Sequence, residues 1–247
     1  MLELLNQIDS SIFLFFNGMH TPFLDRFMMM FTGRFIWVPM YAAILVVLLK
    51  THGAKSAGIY VLGIALAITL TDQTCATYIR PMVERLRPSN LENPLSALTI
   101  VVDDYRGGDY GFPSCHSANS FALATFLAFL FPRRRMLLFI FGWAILNSYT
   151  RLYLGVHYPG DLLVGAIIGS TFGWLCYRLS FRLDRNTPRP TLSIDSLDRL
   201  RRPMLTIPFG PVWANVGRMT LTITVGDILI AVGAITSLGI LTASLIS

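Results

Sequence analysis

Three short segments carry the residue types and spacings able to do chemistry: Arg80-Pro-Met-Val-Glu-Arg-Leu-Arg87-Pro88, Phe112-Pro-Ser-Cys-His-Ser117, and Thr150-Arg151 followed by His157 and Asp161. His157 and Asp161 stand four apart around a Pro159-Gly160 break. A carboxylate bonded to one imidazole nitrogen orients the ring and leaves the other nitrogen free to attack an electrophile. Arg80, Arg87 and Arg151 each lie beside an apolar run, where a charge is unfavourable. Any one of them alone reads as a side chain snorkelling to the membrane surface. Three on the side that also bears two histidines read as an anion site, because guanidinium groups match phosphate oxygens in pairs. Pro113-Ser114-Cys115-His116 opens an apolar helix whose first-turn N–H groups lack partners and favour an anion. Ser114 fits a plain N-cap, and would offer a ligand oxygen the same environment. Cys115 as nucleophile is disfavoured: a cysteine phosphatase needs an arginine six residues on, and Phe121 stands there.

The elements that must hold these residues are long apolar runs. Spans are expected at about 35–49, 57–79, 117–131, 136–149 and 162–179, with a sixth run at about 221–246 that contains Asp227. Several are short against the ~20 residues a crossing needs, so their ends must include interfacial residues. Leu2, Leu5, Ile8, Ile12, Phe15 and Met19 recur at steps of three and four, one apolar helical face. That helix suits the membrane surface or a place against the bundle. Pro22 ends it, and a short apolar helix is expected at about 24–31.

Composition agrees: 53% of the 247 residues are hydrophobic and 14% charged, against about a quarter charged in a soluble domain. No basic leader precedes the first apolar stretch, which follows Glu3 and Asp9. The net charge of +6 does not mark a nucleic-acid binder, since the arginines form no stripe with interleaved aromatics. They lie between apolar runs instead. Lys50 and Lys55, then Arg133 to Arg135, then Arg178, Arg182, Arg185 and Arg189 fall on one side of five alternating spans. The positive-inside rule makes that side cytoplasmic. The segments bearing chemistry fall on the other side. Cys75, Cys115 and Cys176 give neither a disulfide framework nor metal-ligand spacing.

The three segments resemble the type-2 phosphatidic acid phosphatase superfamily, whose pattern is Lys-x6-Arg-Pro, Pro-Ser-Gly-His and Ser-Arg-x5-His-x3-Asp. Here Arg80-x6-Arg87-Pro88, Pro113-Ser114-Cys115-His116 and Thr150-Arg151-x5-His157-x3-Asp161 stand in the same order. Lysine is replaced by Arg80, glycine by Cys115 and serine by Thr150. The resemblance covers about residues 35 to 180 and leaves the tail from about 182 unexplained. It implies an all-α transmembrane bundle of five to six spans, with an amphipathic interfacial helix at the start. It also implies a lipid phosphatase: His157 attacks phosphorus, Asp161 supports it, and His116 protonates the leaving oxygen. Arg80, Arg87, Ser114, Cys115 and Arg151 would hold the phosphate, with no metal or other cofactor. The expected substrates are a lipid A phosphate or undecaprenyl pyrophosphate, with phosphatidylglycerophosphate or phosphatidic acid as alternatives. A transporter that binds anions without chemistry is the alternative from another class. The expected layout is 1–34 for the N-terminal helices, 35–181 for the phosphatase domain, and 182–247 for a basic linker and a last apolar segment. The expected setting is a bacterial inner membrane with the site facing outward; oligomeric state stays open.

Overall fold

The computed structural model describes residues 2–184, 205–206, 222–223 and 225–246. Helices α1 (Leu2–Asn17) and α2 (Pro22–Phe31) precede the long α3 (Val38–Gln73). A π-helical turn, Thr74–Ile79, runs straight into α4 (Arg80–Val83). Then follow α5 (Cys115–Leu130), α6 (Arg134–Tyr153), α7 (Pro159–Leu183) and α8 (Val225–Ile246). The fold is helical. Among the described residues the one ladder pairs Leu205–Thr206 with Thr222–Ile223. The basic linker expected from about 182 to 220 lies, beyond Asp184, outside the described residues except for that first strand.

The first two expected spans form one helical run broken at Gly53, where φ is 75° and ψ 167°. Such a φ favours a residue without Cβ. Residues from both halves, Tyr41 to Leu48 and Val61 to Asp72, line one cavity, so the run folds back on itself rather than extending. Among the described residues three segments are long and apolar enough to cross a membrane by themselves: Phe35–Val83, Pro159–Leu183 and Asp227–Leu245. Their outward side chains, among them Leu62, Leu163, Ile167 and Ile235, are apolar and exposed, the surface of a membrane protein.

The third expected span is an interior helix, and the fourth, α6, packs on it with one side exposed at Leu138 and Ile145. Most of α5 is buried, with Ser117, Ala118, Ala122, Phe126 and Leu127 among the side chains that pack α3, α6 and α7 around it. A helix enclosed on nearly all sides needs no single apolar stripe. Its contact with α7 is made by glycines. A Cβ at Gly165 would press on the Ser114 carbonyl, and Cβ atoms at Gly169 and Gly173 would overlap the carbonyls of Ala118 and Ala122. Small residues at every fourth position let two helix backbones touch. This stripe sets the start of α5, with His116, against the start of α7, with Asp161.

Helix α1 turns its periodic apolar face away from the bundle. Leu4, Leu5, Ile8, Ile12 and Phe15 are exposed, while Phe13 and Asn17 are buried against the bundle. The Asn17 side chain donates to the carbonyls of Tyr153 (2.9 Å) and Ile100 (3.0 Å) and accepts from Ile100 N–H (2.8 Å). Helix α8 packs on α2, α3 and α6. Asp227, unexpected inside an apolar run, sits in its first turn and pairs with Arg135 at 3.6 Å. Ser244, near its other end, reaches Met30 of α2.

Candidate active site

The π turn and the short α4 deliver Arg80, and Glu84 in left-handed geometry (φ 49°) turns the chain out of the helix. The next three residues are held as an extended strip. Arg87 N–H donates to the Asp109 carbonyl (3.0 Å) and Gly111 N–H to the Arg85 carbonyl (2.8 Å). Arg87 is thereby brought over His157. Gly111 sits tightly there, because a Cβ would lie 3.1 Å from Asp161 Oδ2 and 3.2 Å from Arg87 Cγ, so those side chains would have to give.

His157 is nearly fully buried and paired at both nitrogens. Nδ1 is 3.3 Å from Asp161 Oδ2, and Nε2 is 2.8 Å from Arg87 Nη1. A carboxylate only accepts and a guanidinium only donates, so Nδ1 carries the proton and Nε2 the lone pair. Burial, then the charges of Arg87, Arg151 and Arg80, hold the His157 pKa well below the usual imidazole value. The ring is therefore neutral at pH 7, as a nucleophile must be. Burial, Arg80 and Arg151 push the Arg87 guanidinium down to about 10, which leaves it a cation at neutral pH.

Asp161 is anchored from several sides. Tyr158 N–H donates to its Oδ2 (3.0 Å), and Arg85 Nη1 to its Oδ1 (2.8 Å). The other arm of Arg85 reaches Asp9 of α1 at 2.7 Å, and the guanidinium lies 3.9 Å above the Tyr158 ring. Asp9 also accepts from Gly160 N–H at 2.7 Å. A chain Asp9–Arg85–Asp161–His157 thus runs from the N-terminal helix to the imidazole.

A cavity of about 1080 Å³ opens beside this pair. Of the eight candidate residues, six line it: Arg80, Arg87, Cys115, His116, Arg151 and His157. Asp161 stands behind His157. Ser114 is fully buried and off the cavity wall, and its Oγ accepts from Ser117 N–H at 3.4 Å as an N-cap. Cys115 is the first helical residue of α5 with no positive φ, which is why a side chain fits where the family pattern has glycine. Its Sγ accepts from Arg80 Nη2 at 2.9 Å. Arg151 donates to Thr32 Oγ1 (3.0 Å) and to the Tyr105 hydroxyl (2.9 Å). The Nε groups of Arg80 and Arg151 are buried with no partner. Such donors are costly unless a ligand satisfies them, and an anion with several oxygens is chemically suited to them.

His116 Nε2 is 3.1 Å from Asn147 Oδ1, an acceptor that fixes the proton on Nε2 and leaves Nδ1 to face other groups. Thr32 Oγ1 is 3.4 Å from the same nitrogen. Sequence reasoning did not find Asp9, Arg85, Thr32, Tyr105 or Asn147. Arg85 lies inside the first motif and was passed over because only Arg80 and Arg87 fit the family spacing. The others carry no short-range signal.

A helical membrane protein whose buried histidine–aspartate pair meets three arginines is, by fold and site, one built to bind a phosphoryl group. Residues 56–185 match the PAP2 superfamily, and the chain belongs to it. It is 57% identical over 194 residues to the lipid A 4'-phosphatase of Bacteroides thetaiotaomicron, covering 77% of this chain and 86% of that one. It is 30% identical to the lipid A 4'-phosphatase of Porphyromonas gingivalis over 72% of this chain and 75% of that one. Among solved structures it resembles the first transmembrane PAP2 type phosphatidylglycerolphosphate phosphatase from Bacillus subtilis. The TM-score is 0.55 at 20% identity, over 74% of this chain and 90% of that one, a likeness of fold.

Proposed function

We propose that the protein is an integral membrane phosphatase that removes a phosphate from a lipid A-type saccharide lipid through a phosphohistidine at His157. The observation that carries this is His157 held between Asp161 and Arg87 at the wall of a cavity shared with His116, Arg80 and Arg151. The identity to chains named lipid A 4'-phosphatase selects the saccharide lipid over undecaprenyl pyrophosphate or a phosphoglyceride.

The phosphoryl group enters with its oxygens toward Arg80, Arg87 and Arg151 and takes the Arg87 hydrogen bond away from Nε2. Nε2 attacks phosphorus and the P–O ester bond breaks, while His116 Nδ1, having taken up the proton that a phosphate monoanion brings in, passes it to the leaving alcohol oxygen. Such proton transfer contributes ~10²–10⁴-fold. The positive charge formed on His157 is met by Asp161 through Nδ1–H. Water then attacks the phosphohistidine, giving its proton to His116, and inorganic phosphate leaves. The guanidinium groups stabilise charge as it develops on the equatorial oxygens.

The same reading places six crossings in the membrane: the two halves of α3, then α5, α6, α7 and α8. Helix α8 supports the sixth, since Asp227 meets the arginine cluster at one face of the bundle and Ser244 meets α2 near the site at the other. The arginine-rich face is cytoplasmic and the site opens to the periplasm of a bacterial inner membrane. The exposed apolar face of α1 suits the lipid surface. Residues 35–181 form the phosphatase domain, with 1–34 and 182–247 as additions at its two ends.

The test is phosphate release from lipid A by the purified chain in detergent with a metal chelator present. Wild type is expected to turn over, and His157→Ala to lose about 10³-fold or more. Equal turnover by a correctly folded His157→Ala protein, or none by wild type without added divalent metal, overturns the mechanism.

A further inference from the structure

The cavity has three zones. At one end stand the guanidinium groups and the two histidines. At the other, Ile44, Leu45, Leu48, Val61, Ile64 and Ile68 form an apolar slot within the membrane-crossing helices. Between them the wall carries Asp72, eight residues before Arg80 near the end of α3, and Asn119, one turn into α5. An acidic side chain in a site for an anionic substrate is unfavourable unless something there needs an acceptor. Asp72 takes part in no ion pair among the described residues, and its Oδ1 accepts one long hydrogen bond, 3.3 Å, from Asn119 Nδ2. Asn119 Oδ1 is buried with no partner at all. Two acceptors in a membrane-enclosed cavity thus have capacity left over. Of the other polar groups on this wall, Asn147 Nδ2 is bonded to Ser120 Oγ at 2.7 Å and Ser120 Oγ to the His116 carbonyl at 2.9 Å, while Trp143 Nε1 is a buried donor with no partner among the described residues.

His116 fixes what lies in this middle zone. It delivers its proton to the leaving oxygen, so the alcohol bearing that oxygen lies on its side of the phosphorus. Asn119 is three residues beyond His116 on the same helix and therefore on nearly the same face. We infer that Asp72 and Asn119 form an acceptor subsite for the hydroxyl or amide N–H groups of a sugar carrying the phosphate. A polyprenyl diphosphate would put a second phosphate there, against the Asp72 carboxylate. Diacylglycerol phosphate would put carbon and ester oxygens there, with no donor. The subsite accordingly selects saccharide phosphates by attraction and diphosphates by repulsion. This rests on the lipid phosphatase reading above and specifies its substrate class.

The experiment measures kcat/KM in detergent for lipid A, farnesyl diphosphate and phosphatidic acid with wild type, Asp72→Asn, Asp72→Leu and Asn119→Leu. Relative to wild type, the ratio of lipid A to phosphatidic acid is expected to fall about tenfold or more in Asp72→Leu and Asn119→Leu, the loss typical of a hydrogen bond to a buried polar group. The ratio of lipid A to farnesyl diphosphate is expected to fall in Asp72→Asn as well, since that change removes the repulsion. Two variants on separate helices guard against one that does not fold. Ratios within twofold of wild type in the folded variants overturn the subsite while leaving the phosphatase reading intact. A wild type that releases phosphate from none of the three substrates removes both.

Discussion

Electrostatics act strongly on His157. Burial and three arginines disfavour its imidazolium form, so its pKa falls and the neutral, nucleophilic ring persists to lower pH than the ~6.5 of a free imidazole. The expected outcome, in histidine-labelled protein followed by NMR in micelles, is that the His157 signal stays at its neutral position through pH 6. Replacing Arg87 with glutamine removes one of the causes and should move that titration upward; a shift downward would contradict the assignment. The Asp9–Arg85–Asp161 chain gives a second prediction at this scale. Asp9 touches no substrate, yet it holds the arm that holds the dyad. Asp9→Asn or Arg85→Lys should lower kcat about tenfold or more through misplacement of the imidazole while KM changes little, with Asp9→Glu restoring part of the rate. A change confined to KM would instead mark Asp9 as a binding residue.

At the scale of elements, the glycine stripe of α7 and the turn of α1 matter most. Gly169→Leu must push α7 away from the Ala118 carbonyl, with an overpacking penalty of about 1–3 kcal/mol or more. A lower melting temperature and loss of activity together are expected, because separating α5 from α7 also separates His116 from the dyad. Gly111→Ala acts locally: activity should fall with little change in melting temperature, and a large thermal shift would refute a local role. The same elements mark what sequence can and cannot tell. His157, Asp161, His116 and the three arginines were legible because their types and spacings recur within short windows. Asp9 and Thr32 were not, because each reaches the site from a distant element and only tertiary packing brings them near; Asn147, one turn before Arg151 on α6, lies outside the three motifs. The periodicity of α1 marked one apolar face. It could not say that two polar residues, Asp9 and Asn17, point into the protein while the apolar face points out. In a membrane protein that inversion is ordinary, since the surroundings are as apolar as a core.

At the scale of the molecule, the arginine distribution and the path of α8 predict which face is which. In a chain with its three cysteines replaced by alanine, a cysteine at Leu91, which is 77% exposed in the loop over the site, should react with an impermeant maleimide in intact spheroplasts. One at Arg134 should react only after lysis. The reverse pattern would invert the topology. Helix α8 is part of the bundle in this arrangement: a Cβ at Gly233 would overlap the Phe139 ring of α6. Gly233→Leu should therefore weaken thermal stability although it lies far from the site.

The hydrogen bond from Arg87 to His157 Nε2 reaches further than stability. With Asp161 on one nitrogen and Arg87 on the other, the resting imidazole has no lone pair to offer. Only a group with negative oxygens can draw the guanidinium aside, and the ester bonds of the surrounding lipids, being uncharged, cannot. In the proposed mechanism the nucleophile is unlatched by the same charge it goes on to attack. A reactive histidine can in this way sit among thousands of acyl esters and leave them uncleaved.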